Sequence, residues 1–171
     1  MFGAIALRRL GAFSVDWAVI ALWGTALFGI VMLLTHGEPM ASANPWMAQF
    51  LAFLCMTGPV ILYFTFCECS SMQASLGKRV LKLRVLDEQG RRLRFASSLK
   101  RNLIKFLPWE LGHMGAQQAF YAGEAGPALW VWVPLLASMI IPVLWFFQLL
   151  KNGAAPYDLW AGARVQLQPA G

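Results

Sequence analysis

The chain has 171 residues, 58% hydrophobic and 13% charged, with a formal net charge of +6. A soluble domain of this length has no core large enough to absorb so many apolar side chains, so the composition excludes an ordinary soluble enzyme and indicates an integral membrane protein. Eight Trp and twelve Phe suit interfacial anchoring and packing among lipid-surrounded helices, and they require no cofactor.

In chain order, the first apolar run is Leu10–Leu34, interrupted by one charge at Asp16 and preceded by Arg8 and Arg9. A second, Met47–Cys67, carries no charge. Each is long enough to cross roughly 30 Å of hydrocarbon. Between them "THGEPMASANP" holds Gly37, Pro39 and Pro45 and reads as a short external turn containing His36. A signal peptide cleaved near Ala41-Ser42-Ala43 is the competing reading, opposed by the length of the apolar run and by Asp16 within it. Cys55, Cys67 and Cys69 read as small apolar residues, since one C-x-C around Glu68 supplies too few ligands for a metal.

The charge is concentrated between residues 78 and 105, where ten Lys and Arg oppose only Asp87 and Glu88, a net of +8. Basic residues flanking spans mark a cytoplasmic loop and suit anionic head groups, with Lys78, Arg79, Lys82, Arg84, Arg92 and Arg94 as the contacts. No aromatic interleaving accompanies the charge, so nucleic acid is not an expected partner. Leu81, Leu83 and Val85 alternate with Lys82 and Arg84, "DEQG" follows, and Leu93 and Phe95 alternate with Arg92 and Arg94, which predicts a β-hairpin over 80–95. "ARVQLQ" repeats the alternation over 163–168 and predicts a third strand on that hairpin.

Pairing of that strand with the hairpin puts both on one side and demands an even number of crossings. The polar segment 95–119, kinked at Pro108, then becomes a re-entrant or tilted helix whose Lys100, Arg101 and Lys105 snorkel to the interface. The alternative is a helix lying flat, leaving three spans. The last span is 128–150, with bends predicted at Pro134 and Pro142. The fold class is therefore an α-helical membrane protein, one domain over 1–171, with about four transmembrane or re-entrant helices, a small cytoplasmic hairpin and a C-terminal strand.

"RRLGAFSVDW", "SLGKRVLKLRVLDEQGRRLRFASSLKRNLIKF" and "YDLWAGARV" together resemble the RDD family of bacterial membrane proteins, named for one arginine and two aspartates. The resemblance rests on Arg9-x-x-Ala12-x-x-x-Asp16, Gly77-Lys78, Arg101-Asn102 and Asp158-x-x-Ala161-Gly162. It makes Arg9 the family's arginine and Asp16 and Asp158 its aspartates, and it implies a bacterial inner membrane, where the basic flanks and the pairing of the last strand with the hairpin put both termini on the cytoplasmic side. Ala163 stands where the family usually has Thr, and the basic residues usual before the last motif are thinned to Lys151. The resemblance also implies transport, with cation/proton antiport proposed for some members.

Arg9 and Asp16 share a helix face but sit about 10.5 Å apart along the axis, so they do not pair directly. Asp16 is too deep in the bilayer to stand bare. It fastens the bundle, accepting from Arg9 of a neighbouring subunit, from Arg101 or Asn102, or from backbone N–H groups; or it lines a hydrated path and exchanges a proton for a cation; or it meets a lipid or peptide. Asp158 suits an N-cap. Glu110 and His113, three apart, share a face as accessory proton-relay or metal residues, too few alone for zinc. No nucleophile–base set, H-E-x-x-H or P-loop is present, since Met72 and Arg79 break the pattern around Gly77-Lys78. The expectation is a non-enzyme without cofactor or metal that transports a small cation coupled to protons, as a homo-oligomer or with a partner membrane subunit. The alternative is a membrane adaptor or lipid-contacting protein.

Overall fold

The computed structural model describes residues 2–36 and 44–168. Gly37, Pro39 and the Ala41-Ser42-Ala43 stretch lie outside the described residues. The helices are α1 Phe2–Leu34, α2 Pro45–Ala52, α3 Gly58–Cys69, α4 Leu76–Val80, α5 Phe95–Ala122, α6 Trp132–Asn152 and α7 Pro156–Trp160, and the strands are β1 Leu83–Asp87 and β2 Ala163–Leu167. Three helical segments, Ile5–Leu34, Pro45–Cys69 and Leu129–Asn152, are long and apolar enough to cross a membrane.

α1 begins eight residues before Leu10, so Arg8 and Arg9 lie inside the helix rather than ahead of it. The second span is α2 and α3 joined by one π turn, Phe53–Thr57. Pro59 denies the Cys55 carbonyl its usual helical donor, and Trp23 Nε1 of α1 supplies one at 3.1 Å. Pro134 falls in the first turn of α6, where a missing N–H costs nothing, whereas Pro142 lies inside the helix.

α5 is 28 residues long and packs against α3 and α6. Its approach to α6 depends on Gly115, where an added Cβ would stand 2.6 Å from Leu135 Cγ, the close helix packing that small residues allow in membranes. Ser98, Arg101, Asn102 and Phe106 are buried on its inner face, so α5 packs into the bundle along that face. Arg101 accordingly points inward instead of snorkelling.

The sheet differs from the predicted hairpin. β1 pairs antiparallel with β2, in register Leu83↔Leu167, Val85↔Val165 and Asp87↔Ala163, while the expected second arm contributes only an isolated bridge, Leu86↔Arg92. The reason is local. Asp87 accepts from the N–H groups of Gln89 and Arg91, closing a tight turn with Gly90 at φ +78°, and Phe95 already starts α5. Leu83, Val85, Ala163 and Val165 point into one core with Leu93, Ala161 and Ala12 of α1, which anchors the sheet to the end of α1.

Leu83 is fully buried in that core, so Leu83→Ala is expected to lower stability by roughly 2–5 kcal/mol. Exposed Arg164→Ala on the paired strand should change it by no more than about 0.5 kcal/mol. Thermal unfolding in detergent measures both.

Candidate functional site

The inward face of α1 carries Ala6, Arg9, Ala12, Asp16 and Ile20, spaced three or four residues apart and all buried. Arg9 Nη2 donates to Asp158 Oδ2 at 2.6 Å. Arg101 donates to Asp158 Oδ1 through Nε at 2.9 Å and Nη2 at 2.7 Å, and its Nη1 reaches Glu68 Oε1 at 2.6 Å. Lys78 Nζ meets the same Glu68 oxygen at 2.9 Å, and Asn102 Nδ2 donates to the other at 3.0 Å. Lys78 Nζ also donates to Ser75 Oγ at 3.3 Å. A single run of polar contacts thus extends from Arg9 through Asp158, Arg101, Glu68 and Lys78 to Ser75, tying α1, α3, α4, α5 and α7 at one end of the bundle.

Asp16 closes the run. Its Oδ2 accepts from the Ser75 hydroxyl at 2.6 Å and its Oδ1 from the Gly77 N–H at 2.8 Å. The donors facing it are therefore a hydroxyl and a backbone amide at the start of α4. Arg101 and Asn102 serve Glu68 and Asp158 instead, and Arg9 serves Asp158 within the same chain. Gly77 is required by close approach, because a Cβ there would lie 2.0 Å from the Ala12 carbonyl oxygen and 2.9 Å from Asp16 Cγ.

Asp158 is not the N-cap of α7. Ala155 holds that position, and Asp158 Oδ2 accepts the Ala155 N–H at 3.1 Å, the half of a capping box available when the cap has no side-chain acceptor. Burial works to raise the Asp158 pKa, but the guanidiniums of Arg101 and Arg9 outweigh it and hold the carboxyl below its ordinary value. Lys78, expected to face lipid, is buried against Glu68. Arg79, Lys82, Arg92 and Arg94 are exposed and Arg84 is half-buried.

Glu68 is the residue that sequence reasoning missed. It is fully buried and receives Lys78, Arg101 and Asn102, yet in the sequence it stands between two cysteines at the end of an uncharged run, where the weak C-x-C masks it. The signal was available: a carboxylate closing a hydrophobic span invites the same question as Asp16.

Glu110 and His113 lie on one face, with His113 Nδ1 3.6 Å from Glu110 Oε1. Glu110 also accepts from Gln49 Nε2 at 2.8 Å and from the Thr57 hydroxyl, which the π turn presents. Among the described residues no three His, Cys, Asp or Glu side chains gather as a metal set.

A cavity of about 610 Å³ lies among α1, α5 and α6. Arg9, Asp16, Lys78, Arg101, Lys105 and Tyr157 supply its polar lining, and Phe13, Trp17, Trp109, Val143, Phe146 and Phe147 are among its apolar walls. The Lys105 ammonium sits 3.6 Å from the Phe64 ring centroid, with the rings of Phe106 and Phe13 at 4.9 and 5.6 Å. The model of the RDD family matches residues 4–162 of the chain. Among curated proteins and among solved structures, none matches it significantly.

Arg101→Ala is expected to cost roughly 3–5 kcal/mol, because it removes the cation shared by two buried carboxylates and leaves Asp158 Oδ1 without its donor. Arg91→Ala, which breaks surface contacts with Asp87 and Gln89, should cost no more than about 1 kcal/mol. Gly77→Ala should destabilise by about 1–3 kcal/mol or more, since the contact it violates is backbone. Because the Asp158 pKa is lowered on folding, its contribution is fully present above the ordinary aspartate value of about 3.9 and is lost as pH falls through the lower folded value. Asp158→Asn should flatten that acid limb in pH-dependent unfolding.

Proposed function

The chain belongs to the RDD family, and from that premise we propose that it is a non-catalytic, lipid-contacting membrane protein whose basic end lies against anionic head groups. In this reading α5 crosses the bilayer with the three apolar spans, and both termini sit on the side of the basic segment, the cytoplasmic face of a bacterial inner membrane. The apolar flanks of α1, α3 and α6 meet acyl chains or a second membrane subunit.

The observation that carries the proposal is the engagement of the buried carboxylates. Asp16, Glu68 and Asp158 each have both oxygens held by donors within the chain. A carboxylate that exchanges a proton for a cation must give up such partners in every cycle, and the neighbouring Arg9, Lys78, Arg101 and Lys105 repel a cation approaching through the cavity. The same end exposes Arg79, Lys82, Arg92 and Arg94, the arrangement that attracts an anionic leaflet.

Transport of a small cation coupled to protons is the second reading, favoured by one feature: Asp16 lines the cavity and has no ion-pair partner among the described residues. Its mark would be sodium- or potassium-driven proton flux in proteoliposomes that disappears in Asp16→Asn. The lipid-contact reading expects no such flux from either protein. It expects the thermal midpoint to be higher in anionic than in zwitterionic nanodiscs, by a margin that shrinks at 1 M salt. The variant carrying Arg79→Gln, Lys82→Gln, Arg92→Gln and Arg94→Gln should lose that margin, at about 1 kcal/mol of membrane attraction per residue. An equal midpoint in both lipids would overturn the proposal.

A further inference from the structure

The charges buried in the bundle balance: Arg9, Lys78 and Arg101 against Asp16, Glu68 and Asp158. Lys105, half-buried beside them, is a surplus cation. It lines the cavity, sits among the rings of Phe13, Phe64 and Phe106, and has no ion pair or hydrogen bond among the described residues. Aromatic faces attract an ammonium but replace little of its lost hydration, and they supply no counter-charge. A second cation, Arg9, lines the same cavity; it is 8% exposed, and its Nη1, enclosed by protein atoms, has no hydrogen-bond partner. Lys105 lies beside Phe13, one helical turn from Arg9 on α1.

Asp16, Lys78 and Arg101 also line the cavity but are engaged by partners within the chain, and apart from Ser138 and Tyr157 the remaining lining is apolar. Its rim on α1 and α6 is made of side chains that are themselves exposed, including Phe13, Trp17, Val143 and Phe147, so the space between these helices is bounded by residues that face lipid. Its volume of about 610 Å³ falls within the roughly 300–1,000 Å³ of small-molecule sites. A greasy chamber with the unpaired Lys105 and the guanidinium of Arg9 on its polar wall is complementary to a molecule with an anionic head and a hydrocarbon tail.

We propose that this cavity binds one anionic amphiphile from the bilayer, its phosphate or carboxylate head group seated against Lys105, with the positive charge of Arg9 nearby, and its acyl chain running between α1 and α6. The inference deepens the lipid-contact reading and rests on it, but it concerns an internal site rather than the exposed basic face. The head group supplies the counter-charge that Lys105 lacks. The acyl chain occupies apolar volume that water fills poorly.

The test uses the full chain in a neutral detergent, titrated with dioctanoyl phosphatidylglycerol, dioctanoyl phosphatidylcholine or inorganic phosphate and read by native mass spectrometry. One phosphatidylglycerol per chain should bind saturably, phosphatidylcholine and phosphate at least ten-fold more weakly. Lys105→Gln should weaken phosphatidylglycerol ten-fold or more without lowering the lipid-free thermal midpoint, and Lys105→Arg should restore most of the binding. Val143→Trp, at an exposed rim position that leaves the core untouched, should block binding by filling the entrance. Equal binding of the two lipids, phosphate as tight as phosphatidylglycerol, or unchanged binding in both Lys105→Gln and Val143→Trp would overturn the internal site. Loss of the nanodisc margin in the four-residue surface variant alongside unchanged binding in the two cavity variants would leave the surface reading standing and remove only this one.

Discussion

Arg101 is the side chain on which the remainder of the structure depends. Its guanidinium meets Asp158 with two nitrogens and Glu68 with a third, and it is almost fully buried. Only a planar fork with several fixed donors can satisfy two carboxylates arriving from different directions, which a lysine ammonium does poorly. Each buried ion is expensive to desolvate, and the set persists because every carboxylate oxygen in it finds a donor. Through Arg101 the end of α3 and the start of α7 are held to α5, and through Asp158 the first helix is added. The sheet, the position of α4 and the shape of the cavity follow from that clamp.

The clamp in turn needs bare backbone around it. Ala6 and Ala12 leave room on α1, and Gly77 lets the start of α4 press against the Ala12 carbonyl so that its amide can reach Asp16. A short helix is thereby docked by its amino end onto the flank of a long one, and β1 leaves from its other end to find β2. Polar residues thus collect at one end of the bundle, while the lengths of α1, α3 and α6 remain apolar toward their surroundings. That separation is what gives the cavity a charged end and a greasy one.

The spans were legible in the sequence because their signal is composition summed over twenty or more residues, and tertiary contacts do not reverse it. α5 was harder. Its inner face mixes Arg101, Asn102 and Lys105 with Leu and Phe, and whether these cations turn outward or inward depends on carboxylates supplied by α3 and α7. Alternation marks Leu83 and Val85 as one face of a strand, but it carries no information about the partner, so it points to the adjacent arm rather than to β2, about eighty residues away. The site was half visible. Arg9, Asp16, Arg101, Asn102 and Asp158 all fall within the network or directly on it, and Lys78 joins them from the residues assigned to lipid. Gly77 is marked by the family motif but not by any charge, Ser75 has nothing to announce it, and Glu68 is hidden by the cysteines beside it.

The contacts of the network differ greatly in their reach along the chain. Glu68 and Lys78 are 10 residues apart and Glu68 and Arg101 are 33 apart, whereas Arg101 and Asp158 are separated by 57 and Arg9 and Asp158 by 149. A chain made and inserted from its amino end therefore completes the inner pairs early. It carries Arg9 as an orphaned cation, and Arg101 half-satisfied, until the segment after α6 has emerged. Asp158 is the keystone set last, and a nascent or truncated chain lacking it is marked, chemically, as unfinished by two arginines without their anion.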